Sequence, residues 1–231
     1  CGRKLLITGN GRCNVTNKRP TSDFLKHCSP SSKFLYSAFS QFDVNNLIEF
    51  FEVQHCPLVE EVDHRMYPKS QQASSILEVL LKACENNKVK FSMETTVKRL
   101  LLNENRVVGV LSDKGQHECD HVILATGGMS YPLTGSSGDG HAMLQRVGHS
   151  VTELYGVEVP LVSHEEVIQT KRLQGLTLKG VKLEVVSNNK GIKQTQGDVL
   201  FTHFGLSGPA ILFLSEWVQK ELKMNQEVSI S

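Results

Sequence analysis

Two glycine-rich stretches carry the residues best suited to chemistry. The first, Thr8-Gly9-Asn10-Gly11-Arg12-Cys13-Asn14, joins two glycines to a fixed cation and two amide side chains. Glycine lets the backbone come close to a ligand, so this stretch could hold a phosphate or the edge of a planar carbonyl compound. A surface turn with an exposed arginine has the same composition. The second is Val122-Ile-Leu-Ala-Thr126-Gly127-Gly128, followed by Thr134-Gly-Ser-Ser-Gly-Asp139-Gly140 and a helical pattern. A helix start offers N–H groups and partial positive charge, worth roughly 0.3–1 kcal/mol to an exposed anion, which suits an electron-rich cofactor. The alternative is a glycine-rich connection with Asp139 as an ordinary N-cap.

Three single residues invite further readings. His203 lies in Phe201-Thr-His-Phe-Gly-Leu-Ser207-Gly-Pro209, a strand-to-helix turn from which an acid or base could project. It could equally hydrogen-bond the turn, leaving Ser207 as the helix cap. Arg65, beside Glu61 and Tyr67, could bind an anionic substrate or sit in a solvated ion pair. Cys13 would act as a nucleophile only with a base or a helix N-terminus at hand.

The elements that must position these residues follow from periodicity. Asp43 caps a helix whose apolar residues Val44, Leu47, Ile48, Phe50 and Phe51 recur at helical spacing. Pro57 and Pro68 bracket a loop or short hairpin. Ser70 opens a second helix, with Ala73, Ile76, Leu77, Leu80, Leu81 and Cys84 on one face and Asn86-Asn87 at its end. A strand is expected from Val89 to Phe91. Val97–Leu102, Arg106–Leu111 and His117–Cys119 form a β-meander separated by turn residues, and His121–Thr126 is a buried strand feeding the glycine loop. A helix covers Asp139–Val147. Beyond Val151, strands around Val181–Val186 and Val199–Phe201 precede a helix with Pro209 in its first turn.

The chain has 231 residues with 25 basic and 24 acidic side chains, a net charge of +1 that advertises no polyanion-binding surface. With 6% aromatic residues as well, no nucleic-acid partner is expected. At 39% hydrophobic and 21% charged it has globular composition, and no long uncharged run suggests a membrane span. Six cysteines at wide, irregular spacing form no zinc or dithiol pattern, so no metal is expected and the thiols point to the cytoplasm. The opening Cys1-Gly-Arg-Lys-Leu-Leu-Ile7 shows neither a secretory leader nor the polar tether of a lipoprotein, and reads as the start of a fragment.

Four motifs occur in order: Gly2-Arg-Lys-Leu-Leu-Ile-Thr-Gly-Asn-Gly-Arg-Cys-Asn-Val-Thr-Asn17; Arg65-Met-Tyr-Pro68; Ala125-Thr-Gly-Gly-Met-Ser-Tyr-Pro132 with Thr134 to Gly140; and Leu200 to Pro209. Together they resemble the bacterial aminoacetone oxidase-like family of NAD(P)/FAD-dependent flavoproteins. The resemblance implies an α/β fold: a partial FAD-binding Rossmann-like domain with a β-meander over residues 1–157, and a β-rich inserted domain on the substrate side, incomplete, over 158–231. It implies FAD near Gly9, Gly11, Arg12, Cys13, Asn14, Val97, Thr126, Gly127, Gly128, Asp139 and Gly140. The family's G-x-G-x-x-G turn is absent before Cys1, and its chains continue past the inserted domain, so the pocket is expected to be incomplete at both ends. Tyr67 stands where phenylalanine is commoner in that family, and Asp198 where glutamate is.

The implied activity is FAD-dependent hydride transfer to or from a small molecule, with NAD(P)H a possible electron donor and His203 and Arg65 the catalytic candidates. The fragment alone is expected to be inactive and to self-associate, or to be partly disordered over residues 1–20. A non-catalytic binding or scaffold module of the same fold is the alternative, and a Cys13-dependent hydrolase is the third reading.

Overall fold

The chain combines helices with antiparallel strands, and its computed structural model describes residues 1–26, 28, 30–224 and 227–231. The α/β chain divides into two units, Cys1–Ser150 and Val151–Ser231. Every strand pairing among the described residues is antiparallel.

In the first unit, helix α1 (Arg3–Ile7) runs into a 3-10 turn over Thr8–Gly11. Strand β1 (Thr16–Asn17), α2 (Thr21–Lys26), a 3-10 turn over Pro30–Leu35, α3 (Tyr36–Gln41) and α4 (Val44–Val53) follow. Asp43 caps α4 as expected. Its carboxylate accepts from the N–H groups of Asn45 and Asn46 at 2.8 and 3.0 Å, and the Asn46 side chain accepts from the Asp43 N–H at 2.9 Å. Strands β2 (Leu58–Glu60) and β3 (Arg65–Pro68) make the hairpin between the prolines, and β1 pairs with the other edge of β3. Helix α5 (Ala73–Asn86) starts later than Ser70, because Gln71 has a φ of 57° and Gln72 is extended. Ser70 instead accepts from the Gln72 N–H through its hydroxyl. Val44, Ile48 and Phe51 of α4, Leu58 and Met66 of the hairpin, Ala73 and Ile76 of α5, and Cys13 and Cys56 close one core.

The meander forms as β4 (Val97–Asn103), β5 (Arg106–Ser112) and β6 (Gly115–Glu118). Helix α6 (Asp139–Arg146) follows the second glycine stretch. Two expected strands are absent. Val89–Phe91 is irregular, with Val89 and Phe91 each half exposed. His121–Thr126 pairs with no described strand, and Ile123 is 92% exposed. An apolar run becomes a strand only where a neighbour accepts its ladder of N–H and C=O groups, and no described strand pairs with either segment.

The second unit contains β7 (Leu161–Val162), α7 (Glu166–Gln169), the long hairpin β8 (Thr177–Ser187) and β9 (Lys190–Phe201), β10 (Gly205–Ser207), α8 (Pro209–Lys223) and β11 (Val228–Ile230). The sheet order is β11-β8-β9-β10-β7. Ala210, Ile211, Leu214 and Val218 of α8 pack on Val185 of β8 and Val199 of β9. Buried Ser215 is satisfied: its hydroxyl donates to the Leu212 carbonyl and accepts from the Val159 N–H.

Candidate functional site

The loop Thr8–Asn14 doubles back on itself. Gly9, Asn10, Gly11 and Cys13 all have φ between 55° and 83°, and the Cys13 N–H donates to the Thr8 carbonyl at 3.0 Å. This reversal sends the Cys13 side chain into the core, where it is 6% exposed. Burial pushes its thiol above the ordinary 9.0, against an opposing hydrogen bond from Thr8, so the sulfur stays protonated at neutral pH. The geometry gives no support to a Cys13 nucleophile.

Arg12 is not a free cation waiting for a phosphate. One guanidinium nitrogen lies 3.0 Å from each Glu61 carboxylate oxygen and 2.9 Å from Gln71 Oε1, and Cζ sits 4.1 Å over the Tyr67 ring. Gln71 also donates to Glu61 at 3.1 Å. Arg12 thereby ties the loop to β3 and to the turn before α5. This brace was only half legible in sequence, because Gln71 carries no motif. Next to it, Glu60 is held below the usual carboxylate range, first by a hydrogen bond from His64 and then by the nearby Lys18. Arg65 pairs with Asp63 at 2.9 Å, both exposed, which is the solvated ion pair and not a built anion site.

The second stretch folds around the start of α6. Gly127, Gly135 and Gly138 have φ of 74°, 103° and 86°, conformations that disfavour other residues. A side chain on Gly140 would collide with Thr126 Oγ1, and one on Gly138 would meet Met129. Glycine at 140 is what lets Thr126 lie on the helix start. The N-cap is Gly138 and not Asp139, and no side chain caps α6. No side chain occupies its first N–H groups, and His141 Nδ1 in the same turn is buried without a partner among the described residues. Gly128 and Gly135 have open space where a side chain would point. Unpaired donors, accessible backbone and an orphaned ring nitrogen suit a large acceptor-rich cofactor.

Val97 begins β4, and Arg146 at the end of α6 donates to the Lys98 carbonyl at 3.2 Å, so Val97, Asp139 and Gly140 share one framework. Lys4 on α1 donates to the Ser130 carbonyl at 2.6 Å and links the two glycine stretches. The sequence offered no signal for that link.

In the second unit His203 is exposed in the bend between β9 and β10, its ring edge-on to Phe204 at 4.9 Å. The turn is held by Thr202, whose N–H and hydroxyl both donate to the Gly205 carbonyl, at 2.8 and 3.0 Å. These hydrogen bonds of the turn run through Thr202 and not through the His203 side chain. Ser207 closes β10, and Gly208 is the N-cap of α8. Among the described residues, no group of three or more His, Cys, Asp or Glu could hold a metal, and no helix is long and apolar enough to cross a membrane.

Residues 1–202 match the model of the HI0933-like protein Rossmann domain. The chain belongs to that family. The HI0933-like relatives it resembles include the 3-dehydro-bile acid delta(4,6)-reductase of Clostridium scindens, 28% identical over 99% of this chain and 54% of the relative. The ribosomal RNA dihydrouridine synthases of Escherichia coli and Haemophilus influenzae are 28% and 29% identical, each over 94% of this chain and 52% and 53% of their own lengths. The chain thus spans about half the length of the curated relatives it matches.

Proposed function

We propose that this chain is part of a flavin-dependent oxidoreductase that binds FAD and reduces a carbon–carbon double bond conjugated to a carbonyl in a small molecule. The observation that carries the cofactor is the uncapped start of α6, with Thr126 seated against Gly140 and open backbone at Gly128. Thr126, Gly127, Gly128, Asp139 and Gly140 would hold the flavin, with Val97 and the Gly9–Asn14 loop beside it. When bound, FAD supplies hydride transfer at its N5, with NAD(P)H as the source of electrons. The α6 N–H groups would stabilise negative charge on the reduced ring, and the Arg12–Glu61–Gln71 brace keeps the first loop in one conformation.

The substrate class rests on chemistry shared by the relatives' names. A 3-dehydro Δ4,6 skeleton and a uridine ring each place a carbon–carbon double bond in conjugation with a carbonyl. Near-neutral net charge favours a small molecule over a nucleic acid as the substrate of this protein, and a cytoplasmic setting suits its free thiols. Arg65 is paired with Asp63 and His203 is exposed in the bend between β9 and β10, and this reading assigns neither of them a role.

The test is a visible absorption spectrum of the purified chain and of a version extended at both ends, with and without FAD, after filtration to remove free flavin. Retained yellow absorbance that NADPH bleaches anaerobically, and that an added conjugated enone restores, is the expected result. Colourless protein in both versions would leave a non-catalytic binding module as the correct reading.

A further inference from the structure

A cavity of about 520 Å³ lies between the turn that follows α4, the end of β3 and one face of α5, and none of the residues assigned to the flavin lines it. Its size falls within the roughly 300–1,000 Å³ of small-molecule sites. Buried Cys56 and half-buried Val79 give it apolar lining, while exposed Lys69 and Lys82 give it charge. Ser75, Glu78, Val79 and Lys82 recur at three- and four-residue spacing, so one stripe of α5 faces the cavity over about 10 Å. The Lys69 N–H donates to the Pro57 carbonyl at 2.8 Å and fastens together the two non-helical segments of the lining. Neither lysine forms an ion pair with a described residue, and Glu78 is the one carboxylate in the lining. The Ser70 and Ser75 hydroxyls lie 2.7 Å apart, and Ser70 Oγ accepts from the Gln72 N–H at 3.3 Å. That arrangement uses one hydroxyl hydrogen and leaves the other without a described acceptor.

Two ammonium groups without ion-pair partners and a spare hydroxyl donor around one cavity match a doubly charged anion, and lysine binds phosphate as a point charge. Glu78 would repel such an anion. On the stripe between Ser75 and Lys82 its carboxylate can only accept, which suits hydroxyl groups on the rest of the ligand. We propose that this cavity binds a phosphomonoester of a hydroxylated small molecule, a sugar phosphate. Lys69, Lys82 and the serine pair take the phosphate, and Glu78 takes the sugar hydroxyls. The binding is independent of the flavin, since the two sites share no residue.

The test is isothermal titration calorimetry of the version extended at both ends, with ribose 5-phosphate, ribose and inorganic phosphate in turn. Ribose 5-phosphate should bind with a dissociation constant below about 1 mM, inorganic phosphate more weakly, and ribose not measurably. Lys69→Gln and Lys82→Gln should each raise the dissociation constant for ribose 5-phosphate about fivefold, the upper end for an exposed charge pair, and the loss should shrink in about 0.5 M salt. Both lysines are exposed, so the melting temperatures of these variants should stay close to that of the parent. Glu78→Ala should weaken ribose 5-phosphate and strengthen inorganic phosphate, opposite signs that a loss of folding does not produce. The proposal is overturned if ribose 5-phosphate does not bind, if both lysine variants bind it as the parent does, or if ribose binds equally well. Tighter binding of both phosphates to Glu78→Ala overturns the assignment of the sugar to Glu78 and leaves a site for the bare anion.

Discussion

Two buried thiols shape the residue-scale behaviour of the first unit. Cys13 and Cys56 lie in the core, and burial raises both thiols above 9.0, with the Glu78 carboxylate adding to the effect at Cys56. Cys1 and Cys119 are exposed. Iodoacetamide at pH 8 should therefore label Cys1 and Cys119 within minutes and Cys13 and Cys56 only on unfolding, as peptide mass spectrometry would read. Labelling of Cys13 at the rate of Cys1 would mean the loop does not reverse as described. The sign of the pH effect follows. The folded state holds each thiol proton more tightly than the unfolded chain, so this contribution is complete below pH 9.0 and is lost as pH rises beyond it. Melting temperatures should fall as the pH is raised above 9.0, and less so in Cys56→Ala when each is referred to its own value at pH 8.

Among elements, α4 and α6 show two ways to begin a helix. Asp43 closes α4 with a reciprocal cap, so Asp43→Ala should cost about 1 kcal/mol and lower the melting temperature by a few degrees in a thermal scan. The start of α6 is open and glycine-dependent. In an ordinary helix Gly→Ala stabilises by roughly 0.5–1 kcal/mol, whereas Gly140→Ala should destabilise because the new methyl meets Thr126 Oγ1. Adding Thr126→Ala should recover most of the loss, and Thr126→Ser, which keeps the oxygen, should not. Additive effects in that double-mutant cycle would deny the contact. The cap at Asp43 was readable because aspartate before an apolar repeat has one main use. The cap at Gly138 was not, since Asp139 fitted the same pattern and only the backbone angle at 138 distinguishes them.

At the scale of the whole molecule, large apolar side chains remain uncovered: Ile123 and Leu133 are 92% and 94% exposed, and Tyr131 is 73% exposed. The chain should self-associate, with an apparent mass in analytical ultracentrifugation that rises with concentration and falls back in Ile123→Asp. A monomer at every concentration would refute this. The sequence alone determined what depends on local rules: the α4 cap, the meander's turns, and a mixed α/β class, together with the glycine stretches on which the family resemblance rests, while between Pro57 and Pro68 it left a loop or a short hairpin open. Only the tertiary structure decided which polar groups find partners. Arg12 and Arg65 look alike as cations in the chain, yet one is locked under Glu61 and Gln71 over an aromatic ring and the other is solvated beside Asp63. His121–Thr126 has the composition of a buried strand and is irregular, because strand formation depends on a neighbour that no local pattern specifies. Tyr67 neighbours Arg65 in the sequence, yet the cation over its ring is Arg12, since long-range proximity is set by packing and not by spacing along the chain.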